Sequence, residues 1–444
     1  MNRFFSALPI FLQNCVITIY NTYQYKIRHS GCYSNYFDYF SKSSLLSKEE
    51  IEIEKEKRLK DLLEHALNKS DFYSALPKGS TLERFPILNK EDIVSDLKNI
   101  ATIKECDAVV SLTGGTTGSS MKVLYTKENI QERHALLDHF RSQYGYKLGK
   151  RCAWFSGKNI ATSKDVINGN CYRDDYINKI RFFSTFHITE KNFDSYWSAF
   201  TQFAPEYIVG FPSSVYELCA MAKSRGLSCL NKVVAFFPTA ETLLPIHREV
   251  IKSVLGCKIA DQYASSEGAP FILECEHGGL HIHPLSGVFE VVDDDLQPSQ
   301  EGEILVTSFT TWGTPLIRYR IGDRLKLSSS QKCMCGSEFT LVDKIEGRNT
   351  DYILSPDNGK VNLGNISNAT KDIKGIIMFQ VLQDDINEVD VNVVCNSYFD
   401  NKEQDHFKEA LIERFGGMKV NIYLVKSIPK EKSGKFRIVK NNLV

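Results

Sequence analysis

The chain has no net charge. Its 444 residues carry 54 Lys+Arg against 54 Asp+Glu, so no excess of either sign points to nucleic acid or a polyanion as a partner. It has no internal repeat and no low-complexity tract. It also lacks a spanning hydrophobic run. Residues 4–20 are apolar but are interrupted by Gln13, Asn14 and Thr18, and they fall short of the ~20 residues a transmembrane helix needs. A basic leader segment and a small-residue cleavage site are missing as well, so a signal peptide is not expected. The expectation is a docked or surface-lying helix, with peripheral membrane contact as the alternative. The 12 cysteines are scattered through a long chain rather than concentrated in a short one. That argues against a disulfide scaffold and fits a reducing, cytoplasmic setting. Oligomeric state leaves no trace in the sequence.

At 42% hydrophobic and 24% charged residues, the composition is that of a globular protein, and the length implies two or three domains. Ser47 can cap a helix with Glu49 and Glu50 in its first turn, and Leu59, Leu62, Leu63, Ala66 and Leu67 form one stripe. The charge run EEIEIEKEKRLK reads as the solvated face of that helix. FPILNKEDI reads as an X-Pro turn leading into another helix. From residue 109 to 327, short apolar runs such as VVAFFP and GEILVTSF alternate with helical stretches, an α/β pattern. The last ~100 residues differ. EVDVNVVC alternates like a half-exposed strand, KEQDHFKEALIERFGG is an amphipathic helix stopped by Gly416 and Gly417, and KVNIYLVKSIP is a further strand. This is a small α+β module, with a boundary expected at residues 347–351.

One stretch asks for a ligand. SLTGGTTGSSMKVLY (residues 111–125) crowds hydroxyls and glycines together, so that backbone N–H groups and hydroxyls can converge on phosphate oxygens. The P-loop lysine is absent, because Gly118 is followed by Ser119 and Ser120, and a P-loop NTPase is therefore not indicated. Taken alone, the stretch also fits a Gly-rich turn between strands. Four more segments follow in order: DQYASSEGA (261–269), YRIGDR (319–324), EGRNTDYI (346–353) and IPKEKSGKFR (428–437).

With the opening loop, this ordered set resembles the core motifs of the adenylate-forming superfamily of acyl-CoA synthetases, luciferases and peptide-synthetase adenylation domains. Each motif is weak singly; five in order are specific. ALNKSDFYSALP with RFPILNKEDI, IVGFPSSVYELCAMA and CEHGGLHIH resemble the phenylacetate–CoA ligase family, and the apolar lead resembles its capsule-biosynthesis, CapK-like branch. The resemblance runs from about residue 47 to the end. It implies an N-terminal lead (1–46), a large adenylate-forming domain with mixed sheets and helices (47–347) and a small mobile α+β lid domain (348–444).

The resemblance also implies roles. Ser111, Thr113, Gly114, Gly115, Thr116, Thr117 and Gly118 would hold the β- and γ-phosphates of ATP. Glu267 would place Mg²⁺, which favours one carboxylate plus phosphate oxygens, and Ser266 would lie near the α-phosphate. Tyr263, within the motif that Asp261 opens, would lie against adenine. Asp323 would accept hydrogen bonds from the ribose hydroxyls, and Arg348 would contact ribose or phosphate. Ala240 and Glu241, in FFPTAETLLP, would pass beside the nucleotide. Lys435 would supply the cation that the opening loop lacks, delivered by the small domain to the reacting carboxylate. Thr350 stands where relatives often carry Asp, which leaves the hinge residue open.

The implied activity is activation of a small carboxylic acid to acyl-AMP with pyrophosphate release, then acyl transfer to coenzyme A. Transfer to an amine of a sugar or polysaccharide precursor is the alternative, and a non-catalytic nucleotide-binding scaffold is the competing class. Phe236, Phe237 and VGFPSSVYE would line the acid's pocket. A separate signal comes from Cys275, His277, His281, Cys333 and Cys335. Thiolates and imidazoles at these spacings suit a structural zinc, with His277 or His281 completing the set; reduced surface hairpins are the other reading.

Overall fold

The computed structural model describes residues 5, 7–112, 121–156, 160–330, 332–348, 352–362, 366, 368–370, 373–431 and 436–443. The chain divides into two compact units, each assembled from separate stretches. One comprises Met1–Ile19, Gly149–Ile259 and Glu346–Val444, the other Tyr20–Leu148 and Ala260–Ile345.

The first unit is built on a six-stranded sheet ordered Tyr172–Asp175, Ile180–Ser184, Cys152–Ser156, Tyr207–Gly210, Ala235–Pro238, Lys258–Ile259. All neighbours are parallel except the first pair. Strands covered on both faces read as continuous apolar runs, and every residue of Tyr207–Gly210 and Ala235–Pro238 is buried. Helices Phe193–Phe203, Pro212–Ser224 and Pro245–Leu255 supply Phe200, Leu218 and Ile251 to the same core as Phe155 and Phe236.

The C-terminal module in this unit has a four-stranded sheet ordered Lys419–Leu424, Glu388–Cys395, Ile376–Gln383, Val439–Asn441. Its core joins Val381, Val391, Phe407, Leu411 and Val420. Glu388–Cys395 alternates between buried and half-buried positions over most of its length, as its sequence pattern predicts. The Asn401–Phe415 helix starts at Asp400, whose side chain accepts the Glu403 N–H, and stops before Gly416.

The N-terminal lead forms the helix Ile10–His29. The polar residues that break its apolar run are the ones it buries: Gln13 and Asn14 are buried, and they bond to Arg173 and Tyr176. Phe11, Val16 and Ile19 face outward. No helix among the described residues is long and apolar enough to cross a membrane.

The second unit carries a seven-stranded sheet ordered Gly287–Val292, Glu301–Ser308, Tyr319–Leu327, Leu341–Arg348, Leu280–Ile282, Ile272–Glu274, Gln262–Tyr263. The Lys48–Lys69 helix begins with the expected Ser47 cap: the Ser47 Oγ accepts the Glu50 N–H, and the Glu50 carboxylate accepts the Ser47 N–H at 2.8 Å. It buries Leu62, Leu63, Ala66 and Leu67. The Lys90–Ile100 helix follows the X-Pro turn and is closed by the Asn89–Asp92 capping box. The fold class is α/β with a small α+β C-terminal module.

Candidate functional site

In the second unit, strands Val109–Leu112 and Lys122–Tyr125 pair antiparallel, Leu112 opposite Lys122. Thr113, Gly114, Gly115, Thr116, Thr117 and Gly118, which connect them, lie outside the described residues. The hairpin's two strands meet the 261–269 segment at one atom. Ser111 Oγ donates to the Ser266 carbonyl at 2.9 Å, and the Tyr125 hydroxyl donates to it at 3.3 Å. Ser266 itself is exposed, whereas Glu267 is only 9% exposed.

The turn beyond Glu267 is held by a residue the sequence reading did not single out. Arg133 Nη1 donates to the Gly268 and Ala269 carbonyls (2.9 and 3.1 Å) and to Thr310 Oγ1 (2.8 Å), and its guanidinium stacks 4.6 Å from the Phe271 ring centroid. Gly268 has φ +99°, and a Cβ there would lie 2.3 Å from the Tyr125 hydroxyl. Only glycine allows this approach.

Tyr263 and Asp323, 60 residues apart, are brought together: the Tyr263 hydroxyl donates to Asp323 Oδ2 at 2.6 Å. Asp323 sits inside the Tyr319–Leu327 strand rather than in a turn. Asp261 is held at the strand entrance, its N–H donating to Glu274 Oε2 at 2.7 Å. Arg348 ends its strand, and its side chain lies outside the description.

The second unit also gathers four of the five proposed metal ligands. Ligand atoms of Cys275, His281, Cys333 and Cys335 all lie within 4.8 Å of one another. The Cys275 and Cys333 sulfurs are 3.6 Å apart, and Cys335 Sγ is 3.4 Å from His281 Nε2. Zinc–sulfur bonds of about 2.3 Å in a tetrahedron put sulfurs about 3.8 Å apart, so the donor set fits that ion. His281 Nδ1 is 3.1 Å from the Phe339 carbonyl. Donation to that carbonyl leaves Nε2 as the unprotonated nitrogen facing Cys335, the orientation a ligating histidine needs. Gly279 fits the same purpose, because a Cβ there would lie 2.8 Å from Cys333 Sγ. His277 stands outside the cluster; its Nε2 lies 3.9 Å from Glu276 Oε1. Of the two histidines the sequence offered, the structure groups His281 with the cysteines.

In the first unit, Ala240 is exposed in a left-handed conformation (φ +66°) just after the Ala235–Pro238 strand. The next residue, Glu241, bridges two backbone N–H groups: Ser213, in the first turn of the Pro212–Ser224 helix, at 3.1 Å and Phe436 at 2.9 Å. Burial raises the Glu241 carboxyl above its ordinary value, opposed by these N–H bonds and by Lys430. The Lys430 side chain is almost fully buried. Its Nζ donates to the Thr185 carbonyl (2.6 Å), Glu217 Oε2 (3.1 Å) and Ser214 Oγ (3.3 Å). Lys435 lies in the stretch outside the described residues.

An apolar cleft in this unit is lined by Tyr216, Leu244, His247, Ile376 and Phe436 among others. Burial drives His247 down to about 3, so it is neutral; its Nδ1 accepts the Leu244 N–H at 3.3 Å. Phe236 and Phe237 are fully buried and do not line this cleft.

Comparisons with known proteins agree with this fold. Residues 353–442 match the model of the CapK C-terminal domain. The chain is 28% identical to Protein CapK of Staphylococcus aureus over the whole of both chains. It is 26% identical to the indoleacetate–lysine synthetase of Pseudomonas savastanoi, over 60% of this chain and 65% of that one. Among solved structures, a 2-hydroxyisobutyryl-CoA ligase in its postadenylation state aligns with a TM-score of 0.70 at 16% identity, covering 90% of this chain and 91% of that chain. The chain has the fold of that CoA ligase, and it is similar to Protein CapK over its whole length and to the CapK C-terminal domain over residues 353–442.

Proposed function

We propose that the chain is an AMP-forming ligase that activates a small carboxylic acid. The observation that carries this reading is the joining of Tyr263 to Asp323 at 2.6 Å, with Ser111 bonded to the Ser266 carbonyl three residues beyond Tyr263. Contacts between residues of three separate motifs support this reading. The acid's carboxylate oxygen attacks the α-phosphorus of ATP, the bond to the β-phosphate bridging oxygen breaks, and pyrophosphate leaves. Two anions must meet, so donors and cations at the reacting oxygens lower the barrier. Ser111 and the glycine-rich loop hold the departing phosphates, Glu267 is the carboxylate for Mg²⁺, Asp323 takes the ribose hydroxyls, and Lys435 stabilises charge at the α-phosphate.

A thiol then attacks the acyl carbonyl, AMP leaves with the bonding electron pair, and the thiol proton passes to solvent. We assign coenzyme A as this acceptor. The second reading, an amine acceptor such as an amino group of a polysaccharide precursor, is favoured by the likeness to an indoleacetate–lysine synthetase. In either case residues 348–444 act as a small domain that moves between the half-reactions. Cys275, His281, Cys333 and Cys335 bind one structural zinc. The deciding experiment is ATP–pyrophosphate exchange across a panel of aromatic, aliphatic and amino acids, followed by coenzyme A and amines with the best acid. No exchange with any acid would leave only the nucleotide-binding scaffold.

A further inference from the structure

The 428–437 segment carries Lys430, Lys432 and Lys435, and the family resemblance assigns a task only to Lys435. The Lys430 side chain is 7% exposed and faces Glu217, 12% exposed. A buried ammonium is tolerated only when its donors are all used. Here the three partners Thr185 O, Ser214 Oγ and Glu217 Oε2 match the three N–H bonds of Nζ. No donor is left for a substrate, so Lys430 has no direct catalytic task.

Its placement is informative. Ser214 and Glu217 belong to the first two turns of the Pro212–Ser224 helix. Six residues further on, the Phe436 N–H is bonded to Glu241, which also takes the Ser213 N–H of that same helix. The chain is therefore pinned at Lys430 and again at Phe436, and both contacts involve the start of the Pro212–Ser224 helix. The Phe436 N–H belongs to the peptide group that starts at the Lys435 carbonyl, so the second pin fixes the backbone immediately after Lys435.

We propose that Lys430 and Glu217 are a positioning pair that, together with the Glu241–Phe436 contact, anchors the chain before and after the stretch that carries Lys435 and so favours adenylation. The catalytic consequence rests on the ligase reading; the docking does not. An ion pair suits a contact that must be made and released. Its net contribution is small, because burial costs each charge its hydration, and both are rehydrated on undocking. Removing one partner is different, since it leaves the other charge buried and unmatched.

The test uses the full-length protein with Lys430→Met, Glu217→Gln and the double variant. Each single variant should lose about 10–100-fold in pyrophosphate exchange, the size of a misplaced catalytic group, with the KM for ATP within about threefold. Acyl transfer from supplied acyl-AMP should change less than about twofold, and the double variant should be no worse than the poorer single. Limited trypsin cleavage after Lys432 and Lys435 provides a readout without substrate: it should rise at least about tenfold in each single variant while the melting temperature moves little. Unchanged cleavage, or an equal fall in both half-reactions, would overturn the inference. If the wild-type enzyme shows no exchange with any acid, the ligase reading fails, and the cleavage result still decides the docking.

Discussion

Replacing Cys333 by serine should release the zinc and loosen one corner of the second unit without disarming the enzyme. The size of the effect follows from the topology. Cys275 and Cys333 are 58 residues apart, and a cross-link closing such a loop would be worth about 4 kcal/mol in the chain-entropy account. Most of that closure is already made by the sheet, however, because His281 pairs with Leu341. A bound metal would add only the closure from Leu341 back to Cys333, eight residues, or about 2.5 kcal/mol on the same relation. In a unit of this size that corresponds to a fall of about 5–10 °C in melting temperature. Metal analysis of protein purified under reducing, chelator-free conditions should give one zinc per chain in the wild type and none in Cys333→Ser, and a strong chelator should lower the wild-type melting temperature by the same interval. His277→Ala should keep its zinc. Zinc-free wild-type protein, or zinc removal with no thermal shift, would refute the reasoning.

The remaining predictions concern the chemistry. Lys435→Ala should lose about 10²–10³-fold in pyrophosphate exchange, the cost of one transition-state donor, with ATP binding nearly kept; equilibrium binding beside exchange rates separates the two. Tyr263→Phe removes the hydroxyl from Asp323, and since that carboxylate is half-buried and can take water instead, the KM for ATP should rise only about 3–10-fold. Thr350→Pro fixes φ near −65° and deletes an N–H, so single-turnover kinetics should show acyl transfer falling more than adenylation; equal losses would move the hinge elsewhere.

Much of this was legible in the sequence wherever the determinant is local. Ser47 and Glu50 are three residues apart, and the capping box they form needs nothing distant. The alternation of EVDVNVVC survives as the burial pattern of its strand. The Tyr263–Asp323 contact joins two motifs that the sequence marks as separate short segments. Buried charges were not. Arg133, Glu217 and Lys430 look like surface residues in a one-dimensional reading, and their partners lie 135 and 213 residues away. The choice between His277 and His281 had the same character: both lie near Cys275 in sequence, and only the pairing of His281 with Leu341 brings one of them to Cys335.

The grouping of Gly149–Ile259 with Glu346–Val444 in one compact unit is compatible with a C-terminal module that moves, because of the kind of contact that joins them. Lys430 meets a carboxylate, a hydroxyl and a carbonyl; Glu241 accepts the Phe436 N–H; the Tyr216 hydroxyl donates to the Ile376 carbonyl at 3.3 Å. Each is a polar contact that water can replace, so separation costs little per bond. The apolar part, Tyr216, Leu244, Ile376 and Phe436 around the cleft, supplies the undirected attraction, at roughly 25 cal/mol per Å² of surface removed from water. The polar bonds then fix where the segment rests. A fully apolar joint would hold without choosing a register, and an ionic joint alone would choose without holding. Such a combination would return a moving module to one place, as the proposed role of Lys435 in one half-reaction requires.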